Sequence, residues 1–265
     1  MKKVKIGLVL SGGAALGYAH IGVIKRLEEE GIKADIVVGT SMGAVVGAGY
    51  AMGMSVDEMV YKSNKMGITK FFDFNFPSTG LFSGKRMTAF LKTLYKDTTD
   101  KDLKCKFATV AVDLVKGKEV VLKSGPVVDM VRPSMNLPVI FVPVAKDGME
   151  LVDGGMLNNY PDDVAKKMGA DIIIGVDVLK NSYNNAFQKN PIMVLFGGLL
   201  LLQNELYKYK PSYTDVLLTP NLKKYDQTVF KKQLVNDYIN IGYNECDKNM
   251  EKIKEAIANW EKNNK

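Results

Sequence analysis

One histidine and two cysteines in 265 residues set the first limits on what this chain can do. His20, Cys105 and Cys246 lie far apart, without the paired spacing of a zinc site, so the usual zinc clusters are excluded and no cofactor is implied. So few cysteines fit a reducing, cytoplasmic setting. Long apolar runs are also missing. The longest, residues 192–202 (IMVLFGGLLLL), is well short of the ~20 residues a spanning helix needs. Lys2, Lys3 and Lys5 precede an apolar stretch of five residues, 6–10, too short for the ~7–15 of a secretory leader. It reads instead as a buried first strand. There is no zinc-finger, RNP or G-x-x-x-x-G-K-[ST] motif, so neither nucleic acid nor a nucleotide has motif support. Internal repeats, low-complexity tracts and linkers are absent, which makes one domain, 1–265, the expectation.

What is present is ordinary globular material: 46% hydrophobic and 25% charged residues, enough for a sizeable core. Residues 60–125 carry 13 Lys/Arg against 6 Asp/Glu, an excess equal to the +7 of the whole chain. Such an excess is either a solvated basic face or a face that meets anionic lipid or nucleic acid, and the lack of a nucleic-acid motif weighs against the last.

Periodicity gives an alternating order. Residues 6–10, 35–38, 106–114, 119–123, 150–152 and 171–178 read as strands. Residues 19–30, 42–52 and 161–168 read as helices, and Ser55 with Glu58 makes a capping box for another. At the C-terminus Cys246, Met250, Ile253, Ile257 and Trp260 recur at spacings of four, three, four and three. That is one helical stripe, packed on the body or on a second copy. Strands alternating with helices predict a three-layer α/β/α sandwich.

The chemistry begins with ADIVVGTSMGAVVGAGYAMG, residues 34–53. Gly39-Thr40-Ser41-Met42-Gly43 is a G-x-S-x-G pattern between an apolar strand and a helix of small residues, the setting of a nucleophile elbow. Its bland alternative is a glycine-rich turn before a tightly packed helix. Ser11-Gly12-Gly13-Ala14-Ala15-Leu16-Gly17, after the first strand, exposes backbone amides to a phosphate or an oxyanion. With a serine elbow on the next strand the oxyanion reading is favoured, with Gly12, Gly13, Ala14 and Met42 as candidate residues.

The base is the difficulty. No histidine follows Ser41, as the order Ser–Asp/Glu–His requires. A His–Asp–Ser order would use Asp35, which sits at the far end of the strand leading to Ser41, about 20 Å away if extended. His20 reads as a structural residue of the first helix. The base is then a carboxylate or lysine on a loop that permits close approach. Asp153 in MELVDGGMLNNYP, residues 149–161, is such a group, since two glycines follow it. A simple Asp-Gly turn is the competing reading.

Three ordered segments, GLVLSGGAALGYAHIGVIKRLEE (7–29), VGTSMGAVVGAGYA (38–51) and LVDGGMLNNYP (151–161), resemble the patatin-like phospholipases of the small bacterial type. RPSMNLPVIFVPV (132–144), GADIIIGVDV (169–178) and TDVLLTPNL (214–222) extend the resemblance over nearly the whole chain. It implies a sandwich with a mixed, mostly parallel central sheet. It also implies lipid acyl-ester hydrolysis of phospholipase A or lysophospholipase type through a Ser–Asp dyad and an acyl-enzyme. By motif position Ser41 is the nucleophile, Asp153 the base, and the loop at Gly12 and Gly13 the oxyanion hole. The family's loop reads G-G-G-x-[RK]-G; here Ala14 and Leu16 replace the third glycine and the basic residue.

The resemblance gives two apolar segments new readings. Residues 80–87 (GLFSGKRM) border an acyl channel, and residues 191–203 are either a core helix or a flap that touches the bilayer. The partners expected are a lipid acyl ester and, peripherally, an anionic membrane, with no nucleic acid. An acyltransferase using the same acyl-enzyme is the first alternative. A weakly active lipid-binding or regulatory protein, prompted by Leu16, is the second.

Overall fold

A computed structural model describes residues 3–65, 73, 79–180 and 191–264. In chain order its elements are β1 (Ile6–Leu10), α1 (Ala19–Glu29), β2 (Ile36–Gly39), α2 (Met42–Ala51), α3 (Val56–Lys65), α4 (Lys85–Tyr95), β3 (Lys106–Asp113), β4 (Lys118–Leu122) and α5 (Val127–Ser134). There follow β5 (Val144–Lys146), β6 (Met149–Asp153), α6 (Asp162–Lys167), β7 (Ile172–Val176), α7 (Pro191–Tyr209), β8 (Val216–Leu218), α8 (Lys232–Lys248) and α9 (Met250–Asn263).

The strands form one mixed sheet in the order β5-β6-β3-β2-β1-β7-β8, with β4 also paired to β3. The run β3-β2-β1-β7-β8 is parallel; β4, β5 and β6 pair antiparallel. The central strands are near-continuous apolar runs because both faces are covered. Alternation divides them between two cores. Ile6, Leu8, Leu10, Val37, Ile174 and Val176 join the larger core with α1, α2, α5 and α8. Val9, Ile36, Val38 and Ile173 turn to a smaller one with Tyr160, Val164 and Ala165. The architecture is therefore the expected α/β sandwich.

Glycines set the closest packing. A Cβ on Gly22 would lie 1.8 Å from the Ile239 carbonyl oxygen, and one on Gly242 would lie 1.9 Å from that of Ala19. The crossing of α1 over α8 thus needs a bare backbone on both helices.

Three expectations change. The C-terminal stripe belongs to two helices, because the chain breaks at Asn249. Cys246 and, beyond the break, Met250 and Ile253 are buried on the body of the molecule. The strand stub at 150–152 is half of a hairpin whose other strand, β5, has only three residues, too few for period-two alternation to register. The segment 191–203 does not bury all of its apolar residues. Along α7, Val194, Leu195, Leu201 and Leu202 face outward.

Candidate active site

The sheet's parallel strands carry their C-terminal ends to one edge, where three loops meet. In the first, between β2 and α2, Ser41 takes φ 52° and ψ −121°. A non-glycine residue holds such a conformation only when its surroundings impose it, and it stores about 1–3 kcal/mol of strain. A Cβ on Gly39 would fall 2.4 Å from the Gly43 carbonyl carbon, and one on Gly43 2.1 Å from the Leu10 oxygen. Both elbow glycines therefore fill places that no side chain can occupy. The Ser41 N–H donates to Ser134 Oγ at 2.9 Å, and Thr40 Oγ1 donates to the Asn158 carbonyl at 2.9 Å.

The second loop leaves β1. Ser11 N–H bonds the Val176 carbonyl, and Ser11 Oγ accepts the Val178 N–H. Gly12 N–H donates to the Asn159 carbonyl at 3.1 Å, while Asn159 Nδ2 donates back to the Gly12 carbonyl at 3.2 Å. The Gly12 amide is therefore taken, which narrows the set expected from sequence. Gly12 serves by its size: a Cβ there would sit 2.3 Å from Asn159 Oδ1 and 3.1 Å from the Ser41 Cβ. The amides of Gly13, Ala14 and Met42 have no acceptor among the described residues. Ala14 takes φ 47°, a left-handed value at the position where the motif usually has glycine. Leu16, in the place of the motif's basic residue, is buried in the larger core.

The third loop follows β6. Asp153 is 2% exposed. Its N–H donates to the Asn136 carbonyl at 3.0 Å, and its Oδ1 accepts the Gly155 N–H at 2.8 Å. Burial pushes its carboxyl up to about 7, against the opposing pull of the Gly155 amide and the Ser41 hydroxyl. The serine contact falls short of good hydrogen-bond geometry, so Oδ2 stays buried without a well-formed partner. Such a carboxylate is a stronger base than one in water, and its free oxygen is on hand for a proton. A Cβ on Gly154 would lie 2.3 Å from the Val110 carbonyl oxygen, so the loop lies flat against β3.

His20 is elsewhere in the chemistry. It is fully buried, its Nε2–H donates to the Ser11 carbonyl at 2.8 Å, and desolvation lowers its ring to about 4. It is a neutral strut under the glycine loop. Asp35 accepts the Ile6 N–H at the opposite end of the sheet. Among the described residues no group of three or more His, Cys, Asp or Glu could hold a metal ion.

Ser134, Asn136, Asn158 and Asn159 carry no motif of their own, yet they tie the three loops together. Asn136 also accepts from Arg132 Nη1 at 2.6 Å. These residues stand inside the segments 132–144 and 151–161, and that proximity is the one signal the sequence offers. The bonds that Ser134, Asn158 and Asn159 make to the loops at Ser41 and Gly12 run over sequence separations of 93 to 147 residues, which no local pattern reveals.

A small apolar pocket, partly open to solvent, lies beside the elbow. It is bordered by Met42 and Val45 of α2 and closed by Tyr18, Met59, Phe90 and Tyr95. Residues 80–87 do not line it. Leu81 and Phe82 instead pair with the backbone at 139–142.

A family model for patatin-like phospholipase matches residues 8–166. Patatin-like phospholipase domain-containing protein 6 of Mus musculus is 36% identical over 181 residues, covering 65% of this chain and 13% of that protein. Lysophospholipase nte1 of Aspergillus fumigatus is 37% identical over 179 residues, 65% of this chain and 12% of that one. The chain thus spans about an eighth of the length of these relatives. Among solved structures, VipD from Legionella pneumophila shares the fold with a TM-score of 0.60 and 14% identity, over 96% of this chain and 67% of that one.

Proposed function

Because the chain belongs to the patatin-like phospholipase family, we propose that it is a serine lipid acyl hydrolase of phospholipase A or lysophospholipase type. The observation that carries this reading is the raised, half-partnered carboxylate of Asp153 beside the strained Ser41.

Ser41 Oγ attacks the ester carbonyl carbon as its proton passes to Asp153 Oδ2. The carbonyl oxygen takes the negative charge, and the free amides of Gly13, Ala14 and Met42 stabilise it. Such preorganised donors typically supply the largest share of the rate. The carbon–oxygen bond of the ester then breaks, and the leaving alcohol takes the proton from Asp153. Water attacks the acyl-enzyme and gives a proton to the same carboxylate. Collapse of the second intermediate returns that proton to Ser41 and frees the fatty acid. Asp153 acts well here because it sheds its proton near neutrality, whereas the buried His20 has its one hydrogen bond to a backbone carbonyl.

The apolar pocket at Met42 and Val45 is the place for the acyl chain, since Met42 directly follows the nucleophile. A lipid ester is met at a membrane surface, in keeping with the chain's net charge of +7. No helix among the described residues is long and apolar enough to cross a membrane. The test is ester turnover by Ser41→Ala and Asp153→Asn on a lysophospholipid or short-chain ester that the parent cleaves. Both variants should fall to background. Wild-type rates in both would overturn the dyad.

A further inference from the structure

α7 is inside out. An ordinary surface helix turns its apolar stripe to the core and its polar side to water. Here Val194, Leu195, Leu201, Leu202, Leu206 and Tyr209 all face solvent, Leu202 at 64% and Tyr209 at 80% exposure. Leu195, Gly198, Leu202, Leu206 and Tyr209 follow the three-and-four spacing of a single helical stripe. The charged residues on this side, Glu205 and Lys208, pair with each other at 2.6 Å.

On the inward side of α7, Leu199 and Leu200 are half-buried, and the C-terminal half beyond them is polar. Gln203 Nε2 donates to the Gly155 carbonyl, and Tyr207 Oη accepts the Tyr160 N–H. Lys210, one residue past the helix, reaches Asp163 at 2.6 Å and Asn158 Oδ1 at 2.8 Å. These pins place α7 on the loop that carries Asp153.

A second feature projects from the same edge. β3 pairs with β2 only as far as Thr109 and then runs four residues further, about 13 Å. Its turn into β4 exposes Leu114, Val115, Lys116 and Lys118. Asn158 joins this hairpin to α7: its Nδ2 donates to Glu119 at 2.7 Å, and its Oδ1 accepts from Lys210. Asn158 thus links the base of the hairpin to the C-terminal end of α7, and both elements carry exposed apolar side chains near the loop of Asp153.

We propose that the outward face of α7, with the tip of the β3–β4 hairpin, docks on an anionic lipid bilayer, which delivers the ester to the adjacent site. The proposal rests on the lipid-hydrolase reading above. The apolar stripe enters the boundary between headgroups and acyl chains while Lys116 and Lys118 meet anionic headgroups, the two signals that stable peripheral binding needs. A second copy of the chain fits less well. A helix of 19 residues is about 28 Å long, and a stripe ~10 Å wide along it offers ~300 Å², against the ~800 Å² per partner of a stable interface.

The experiment is co-sedimentation of the Ser41→Ala protein with vesicles of phosphatidylcholine, with and without phosphatidylglycerol. Binding is expected, and stronger with phosphatidylglycerol. Leu202→Glu with Leu206→Glu should cut the bound fraction about tenfold, and Lys116→Glu with Lys118→Glu should remove the preference for the anionic lipid. In the active protein, the double leucine variant should keep turnover of a soluble short-chain ester within about twofold and lose about tenfold on vesicle lipid. The proposal is overturned if the protein stays in the supernatant with both vesicles, or if the double leucine variant sediments as the parent does. It is equally overturned if the parent is a dimer that this variant splits, since a second copy then covers the face. Sedimentation does not need the dyad, so its outcome is separate from that of the Ser41 and Asp153 variants.

Discussion

Ser134 Oγ accepts the backbone N–H of Ser41 at 2.9 Å. Two residues on, the Asn136 carbonyl accepts the N–H of Asp153 at 3.0 Å. The end of α5 therefore holds both proposed catalytic residues by their backbones and fixes the distance between them.

Removing the hydroxyl of Ser134 leaves the Ser41 N–H without its acceptor, a loss of about 1–3 kcal/mol. Ser134→Ala should lower kcat about tenfold with KM near the parent value, and slow fluorophosphonate labelling of Ser41 in parallel. A fall in Tm with unchanged kcat and labelling would leave Ser134 a purely structural role.

The proposed base, Asp153, can take a proton only when charged, and burial holds its carboxyl near 7. The rate of ester cleavage at low substrate concentration should rise with pH through a single ionisation near 7 and then level off. A pH profile of kcat/KM on a neutral ester checks this. A rise complete by pH 5 would mean that the carboxyl is not desolvated as the fold indicates.

The same raised carboxyl bears on stability, with a definite sign. The folded state holds this proton up to about pH 7, while the unfolded chain releases it near the ordinary value of 3.8. The protein therefore loses stability from this group as pH rises between those values. Asp153→Asn is spared that loss. It should match the parent at pH 4 and exceed it at pH 8 by as much as about 4 kcal/mol, at 1.36 kcal/mol per unit. Denaturant titrations at the two pH values measure the difference. An equal effect at both would show that charge burial is not its origin.

Ala14 holds a left-handed φ of 47° while carrying a Cβ that glycine lacks. Ala14→Gly should stabilise the fold by up to about 1 kcal/mol, the relief of strain being partly offset by the greater freedom of glycine in the unfolded chain. Thermal melts decide the matter, and a lower Tm would mean that the Ala14 methyl contributes more by packing than it costs in strain.

Much of the frame is legible in the amino-acid order alone. The strand at 6–10, the helix after 19 and the elbow at Ser41 stand within a residue or so of their expected places, because buried strands and amphipathic helices write their periods into the chain. β5 is not legible, because three residues hold too little pattern. The C-terminal stripe reads as one helix because Asn249 interrupts the backbone without interrupting the apolar spacing.

By itself the sequence determined the chemical inventory. With one histidine placed ahead of the serine, a carboxylate had to be considered as the base, and the small residues around Ser41 and Gly12 required a backbone packed too tightly for side chains. Only the tertiary structure decided which amides remain free, since the Gly12 N–H is consumed by a carbonyl 147 residues away. It alone decided which way α7 faces. The leucine-rich segment reads from sequence as either core or flap, but here Gln203, Tyr207 and Lys210 find polar partners on the loop beyond Asp153, and Leu195, Leu201, Leu202 and Leu206 face outward. A hydrogen bond between distant segments has no period, so such choices are made only when the chain has folded.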